Sequence, residues 1–223
     1  MLARRPLATA AATVTVALMA LAVLSGCAAA NAGTSEPSAA SLSAGALRVA
    51  VIGDSIESGL GLDPSEAWPA LLAAEHGWRL DNLSEPGAGF MAQGPDGKTF
   101  SAQVDTALAV KPELVLIGAS DNDLDADPDQ VASAMSQAVD RLRTALPNTR
   151  IVGFSALTGS ATDDDLSPGD AALRRTMADA GGTWLDLGQP YRDRAGLVQD
   201  DGEHPTLPGQ QAIAAAVEAK LGL

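Results

Sequence analysis

From residue 47 to the C-terminus, short β-rich runs alternate with helical patterns. That alternation constrains the fold more than any other feature of the chain. Residues 47–52, 78–83, 113–117, 150–154 and 183–187 read as strands. Residues 65–76, 100–110, 129–146, 169–180 and 206–221 read as helices. Asp127-Pro128 opens the longest helix and Pro147-Asn148 closes it, while Gly77 stops the first. Strands separated by helices imply a parallel sheet covered on both faces, and the almost wholly apolar run 113–117 suits such burial. With right-handed crossovers, the expectation is a three-layer α/β/α, doubly wound sheet of about five parallel strands.

In this flavodoxin-like arrangement, ligands sit beyond the carboxyl ends of the strands, where strand order reverses. Functional residues should therefore lie just after strands, and three segments do. Gly53-Asp54-Ser55-Ile56-Glu57-Ser58-Gly59 follows the first strand, and its flanking glycines allow a sharp turn that exposes the serine Oγ. Asp54 is expected to stiffen that turn through backbone hydrogen bonds, with no chemical step of its own. Asp201-Gly202-Glu203-His204-Pro205 precedes the last helix and offers a base together with an acid to orient it. The chain has two histidines. His76 falls at the end of a predicted helix, where it is expected to cap the C-terminus, which leaves His204 as the base. The loops 82–89 and 118–123 can supply backbone and asparagine amides to a developing oxyanion.

In this order the three segments resemble the SGNH, or GDSL-type, serine hydrolases, and the resemblance covers essentially all of residues 47–223. It implies the same three-layer fold, hydrolysis of acyl esters and thioesters, and no cofactor or metal. Gly53-Asp54-Ser55 matches the nucleophile motif, Asn82 and Gly87 the glycine block, and Asp201 with His204 the closing Asp-x-x-His. The implied catalytic set is Ser55, His204 and Asp201, with Gly87 and Asn122 in the oxyanion hole. One block departs from the pattern. Ser120-Asp121-Asn122-Asp123 stands where the family shows Gly-x-Asn-Asp, so Ser120 replaces glycine. An alternative register would put Ser120 itself at the oxyanion position.

Ahead of the domain lies an address. Arg4 and Arg5 precede the uncharged run 7–24, and Leu24-Ser25-Gly26-Cys27 resembles a bacterial lipobox, with Cys27 the only cysteine in the chain. Residues 1–26 are expected to be a lipoprotein signal peptide. Residues 27–45 would be the lipidated cysteine and a flexible Ala/Ser/Gly-rich tether, and 46–223 the hydrolase domain. Losing Arg4 and Arg5 with no acid changes the net charge from −14 to −16. Such an acidic chain makes nucleic acid an improbable partner, because phosphate binding needs a basic face. With 3% aromatic residues, a base- or sugar-stacking platform is also disfavoured.

The expected protein is thus an extracytoplasmic, lipid-anchored esterase. Its substrate would be a small-molecule, glycan or lipid ester with a short acyl group such as acetyl. Two rival readings are a decayed binding lipoprotein on the same fold and an acyltransferase acting on envelope glycans. The alternating acids 121–127 lack the glycine and glutamate of a calcium loop, since Ala126 and Ala132 occupy those places. Asp163-Asp164-Asp165 reads as a solvated loop. Phe90 and Phe100 read as core, and Trp68, Trp78 and Trp184 as packing residues.

Overall fold

A computed structural model describes residues 45–223. The expected signal peptide, Cys27 and nearly all of the expected tether lie outside the described residues. Five parallel strands, β1 (Arg48–Ile52), β2 (Arg79–Asn82), β3 (Leu114–Gly118), β4 (Arg150–Phe154) and β5 (Thr183–Leu185), form one sheet in the order β2-β1-β3-β4-β5. The expected doubly wound α/β architecture is therefore present. The order reverses between β1 and β3, and a doubly wound sheet is expected to bind its ligand beyond the carboxyl ends of the strands at that point.

Alternation along the strands divides the core in two. Ala50 and Ile52 of β1, with Val115 and Ile117 of β3, face α3 (Phe100–Val110), α4 (Pro128–Ala145) and α5 (Asp163–Asp179). Val49, Val51, Leu116 and Val152 face the other way. They pack under the four-residue α1 (Ser55–Ser58), α2 (Trp68–His76) and α6 (Leu207–Leu221). The Trp68 ring meets Phe154 edge-on at 5.7 Å, which closes that layer.

Two helix starts differ from the sequence expectation by more than one residue. The pattern from residue 65 splits into a 3₁₀ turn at Pro64–Glu66 and an α-helix that begins at Trp68, because Ala67 is extended. More substantially, α5 starts at Asp163 rather than Gly169, so Asp163-Asp164-Asp165 is a helix start and not a loop. Thr162 caps it, accepting the Asp165 N–H while Asp165 accepts the Thr162 N–H. Three acids in the first turn complement the helix dipole. Together these outweigh the hydrogen bond lost at Pro168 inside the helix.

The turn after β1 is clamped from both layers. Gln103 of α3 accepts from the Gly53 N–H (3.0 Å) and donates to the Gly53 carbonyl (2.9 Å). Gln210 of α6, fully buried, accepts from the Trp68 N–H (2.8 Å) and donates to the Ile56 carbonyl (2.9 Å). An orphaned buried polar group costs about 1–3 kcal/mol. Removing Gln210 orphans the Trp68 N–H and leaves the Ile56 carbonyl with the Gly59 N–H (3.3 Å) alone, so Gln210→Ala should lower the unfolding free energy by about 1–3 kcal/mol. Urea unfolding should show the loss as a lower midpoint with an unchanged slope.

Candidate active site

Ser55 begins α1 at the carboxyl end of β1, and its Oγ lies 3.0 Å from His204 Nε2. The His204 Nδ1 lies 2.7 Å from Asp201 Oδ2. Asp201 Oδ1 accepts from the Glu203 N–H (2.9 Å) and the His204 N–H (3.0 Å). These backbone bonds, with the His204 ring, pull the Asp201 carboxyl down to about 2. An ionised carboxylate only accepts, so Nδ1 carries the imidazole proton and the Nε2 lone pair faces Ser55. The Ser55, His204 and Asp201 side chains predicted from the sequence are thus brought into one chain of contacts. His76 does not cap a helix end by hydrogen bonding. Its ring stacks on Trp78, and Nε2 lies 3.2 Å from Glu218 of α6.

Asp54 caps α1 by accepting the Ile56 N–H, and Glu57 accepts the Asp54 N–H in return. A side chain at Gly53 would meet Glu57 Cγ at 2.5 Å, so only glycine admits Glu57 beneath the turn. Both carboxyls are buried, each 3% exposed. Burial, and then the neighbouring Glu57 charge, push Asp54 well above the carboxylate range, and burial raises Glu57 as well. Both shifts favour a shared proton over two buried charges.

The loops after β2 and β3 close the other side. Gly87 adopts φ +74°, and its N–H has no hydrogen-bond acceptor among the described residues. The Ser55 N–H is likewise unpartnered among them. Asn82 donates to the Glu57 carbonyl (2.8 Å) and so anchors the end of β2 to α1, outside the reacting centre. Asp123 accepts from the N–H groups of Phe90 (2.7 Å), Met91 (2.9 Å) and Ala92 (2.8 Å), which folds the 88–92 loop against the loop after β3. Asn122 is exposed, and its Nδ2 contacts Ala88 O (3.2 Å) and Ser120 Oγ (3.1 Å). Ser120, by contrast, is buried with its hydroxyl committed to Asp54 Oδ2 at 2.6 Å. The alternative register, with Ser120 as the oxyanion donor, therefore lacks a free hydroxyl.

Several contributors were not readable in advance. Glu203 accepts from Thr158 Oγ1 (3.0 Å), the Gly159 N–H (2.9 Å) and the Ser160 hydroxyl, which ties the His204 loop to the loop after β4. The Tyr191 hydroxyl donates to the Glu203 carbonyl (3.0 Å) from a fully buried position. In the sequence these acids look like any solvated loop. The Asp54-x-x-Glu57 spacing of a capping box is the one signal that pointed inward.

Asp121 faces Glu203 and Thr158. Burial first, then the charges of Asp54 and Glu203, raise it to about 7, and burial raises Asp170 to about 6. Both ordinarily titrate near 3.8. The native state binds more protons than the unfolded one between those limits, so stability should fall as pH rises from 4 to 7. Urea midpoints should be higher at pH 5 than at pH 8. Asp121→Asn should raise the pH 8 midpoint and leave the pH 4 midpoint where it is.

Residues 51–212 match the family described as GDSL-like lipase/acylhydrolase. No curated protein matches the chain in sequence. The fold is similar to that of TesA (TM-score 0.64, 24% identity, 78% of this chain and 97% of that one). It is also similar to psychrotrophic esterase EstA from Pseudoalteromonas sp. (TM-score 0.65, 17% identity, 79% and 97%). A third similar structure is a family two carbohydrate esterase from Clostridium thermocellum in complex with cellohexaose (TM-score 0.64, 16% identity, 80% and 66%).

Proposed function

The chain belongs to the GDSL-like lipase/acylhydrolase family of serine ester hydrolases, and from that premise we propose that Ser55 is its nucleophile, His204 its general base and Asp201 the acid that orients the base. The observation that carries this reading is the continuous path from Ser55 Oγ through His204 to Asp201, at 3.0 and 2.7 Å. Oγ attacks the acyl carbonyl carbon while its proton passes to His204 Nε2. The tetrahedral intermediate collapses, and the departing alkoxide takes that proton and leaves as the alcohol. Water then repeats the sequence on the acyl-enzyme, giving up a proton to His204 and releasing the carboxylic acid. The unpartnered N–H groups of Ser55 and Gly87, with the Asn122 amide, stabilise the oxyanion.

A cavity of about 90 Å³ between α4 and α5 supports a short acyl group as substrate. Ser120 and Asp123 form part of its wall, and Leu124, Val131, Met135 and Leu166 make the rest largely apolar. Pockets for drug-sized ligands run to about 300–1,000 Å³, so an acyl chain seated in this one would be an acetyl or slightly longer group. The carbohydrate esterase among the similar folds makes a glycan a natural alcohol component. The lipobox around Cys27 supports export and membrane anchoring.

A fluorophosphonate probe tests the roles directly in the full-length protein. One adduct on Ser55 is expected, absent in Ser55→Ala and strongly slowed in His204→Ala. Asp201→Asn should lower kcat by about 10³–10⁴, with acyl-ester KM little changed. Labelling elsewhere, or none on folded protein, would remove Ser55 from the mechanism. For the anchor, mass spectrometry of the membrane-fraction protein should find a lipid-modified Cys27 at the N-terminus; an unmodified Cys27 there would dismiss lipidation.

A further inference from the structure

We propose that Ser120 is a positioning residue that holds the Asn122 carboxamide in its oxyanion-binding orientation, using the buried Asp54 carboxyl as its anchor. The proposal rests on the reading of Asn122 as an oxyanion donor. Three hydrogen bonds hold the Ser120 hydroxyl, and the Ala88 carbonyl at 3.3 Å is a second, longer acceptor for its proton. The hydroxyl donates to Asp54 Oδ2 (2.6 Å) and accepts from the Asn122 N–H (3.2 Å) and from Asn122 Nδ2 (3.1 Å). At 8% exposure, little water competes for them.

The anchor is itself rigid. Asp54 Oδ1 accepts the Ile56 N–H, and the Asp54 N–H donates to Glu57 Oε2 (3.0 Å). Glu57 Oε1 in turn accepts from Trp68 Nε1 (3.3 Å). A continuous path therefore runs from the α2 tryptophan, beneath the Ser55 turn, to the amide on the opposite loop. The base of the nucleophile turn and the oxyanion donor share one support.

An exposed asparagine is free to rotate, and an oxyanion donor gains by being fixed before the charge develops. The Asn122 amide has two hydrogens and two nearby acceptors, Ser120 Oγ and Ala88 O. Ser120 keeps one hydrogen and sets the plane of the amide. The other passes from the Ala88 carbonyl to the substrate oxygen. Glycine, which the resemblance places at this position, has no hydroxyl and would leave both the Asn122 amide and Asp54 Oδ2 without this partner.

The test is a double-mutant cycle on the full-length protein, using kcat for a short-chain ester and the fluorophosphonate labelling rate of Ser55. Ser120→Ala should lower both about tenfold with KM unchanged, a fraction of the about 10²–10³ expected for Asn122→Ala. In the Asn122→Ala background, Ser120→Ala should change kcat by less than about twofold, because the group it acts through is gone. Ser120→Thr should recover most of the loss, since Ser120 borders the cavity between α4 and α5 and an added methyl has space. Thermal unfolding of each variant separates a folding defect from a positioning defect. If the Ser120→Ala and Asn122→Ala losses multiply, or Ser120→Ala leaves kcat unchanged, the proposal is overturned. If Asn122→Ala is silent while Ser55 still labels, the oxyanion assignment fails and the Ser120 role fails with it. Absence of label on Ser55 overturns the catalytic reading as a whole.

Discussion

Two glutamine side chains, reaching in from opposite layers, fix the backbone on which Ser55 stands. Gln103 holds both polar groups of the Gly53 residue, and Gln210 holds the Ile56 carbonyl together with the first N–H of α2. A strand that stops at a helix start leaves unpaired peptide groups in the core, and those groups must find partners. Supplying the partners from α3 and α6 makes the turn a joint between the two layers. Repacking of either helix against the sheet would move Ser55. The site is therefore as precise as the core beneath it.

Carboxyl groups crowd a centre that develops negative charge in the proposed reaction. Left ionised, Asp54, Glu57 and Asp121 would oppose an oxyanion. Burial counters this by shifting each towards its protonated form. The more fully such a carboxyl keeps its proton, the less it adds to the field while it serves as a hydrogen-bonding strut. Asp201 is the opposite case: nearly half exposed and supplied with two backbone donors, it is held ionised where a charge is wanted, behind the imidazole. Two environments thus sort similar side chains into structural and electrostatic roles.

The fold was legible because the strand and helix periods alternate cleanly. Helix 100–110 and strand 150–154 coincide with the sequence reading residue for residue. The start of α5 was not legible, because Pro168-Gly169 reads as a break and the stabilising Thr162 cap lies six residues earlier. The proximity of Ser55, His204 and Asp201 was readable from local motifs placed at strand ends, aided by the scarcity of histidine. The support around them was hidden. Glu203, Asp123 and Gln210 act through contacts across 30 to more than 150 positions, and no local pattern separates them from solvated surface residues.

Those distant contacts share a geometry that explains the arrangement. Each strand end carries a loop, and two of these loops are each tied to a neighbour by one carboxylate that collects several donors. Asp123 gathers three consecutive N–H groups of the 88–92 loop. Glu203 gathers the 158–160 loop beside His204. Ser120 bridges the first strand's turn to the third strand's loop. A single carboxylate with several donors fixes a loop in all directions at once, which one hydrogen bond cannot do. The Ser55 turn, the Asn122 loop and the His204 loop come from separate parts of the chain, and these ties make them one rigid rim. Proper alignment for acyl transfer requires this, because the reacting groups contribute in proportion to how little they must move.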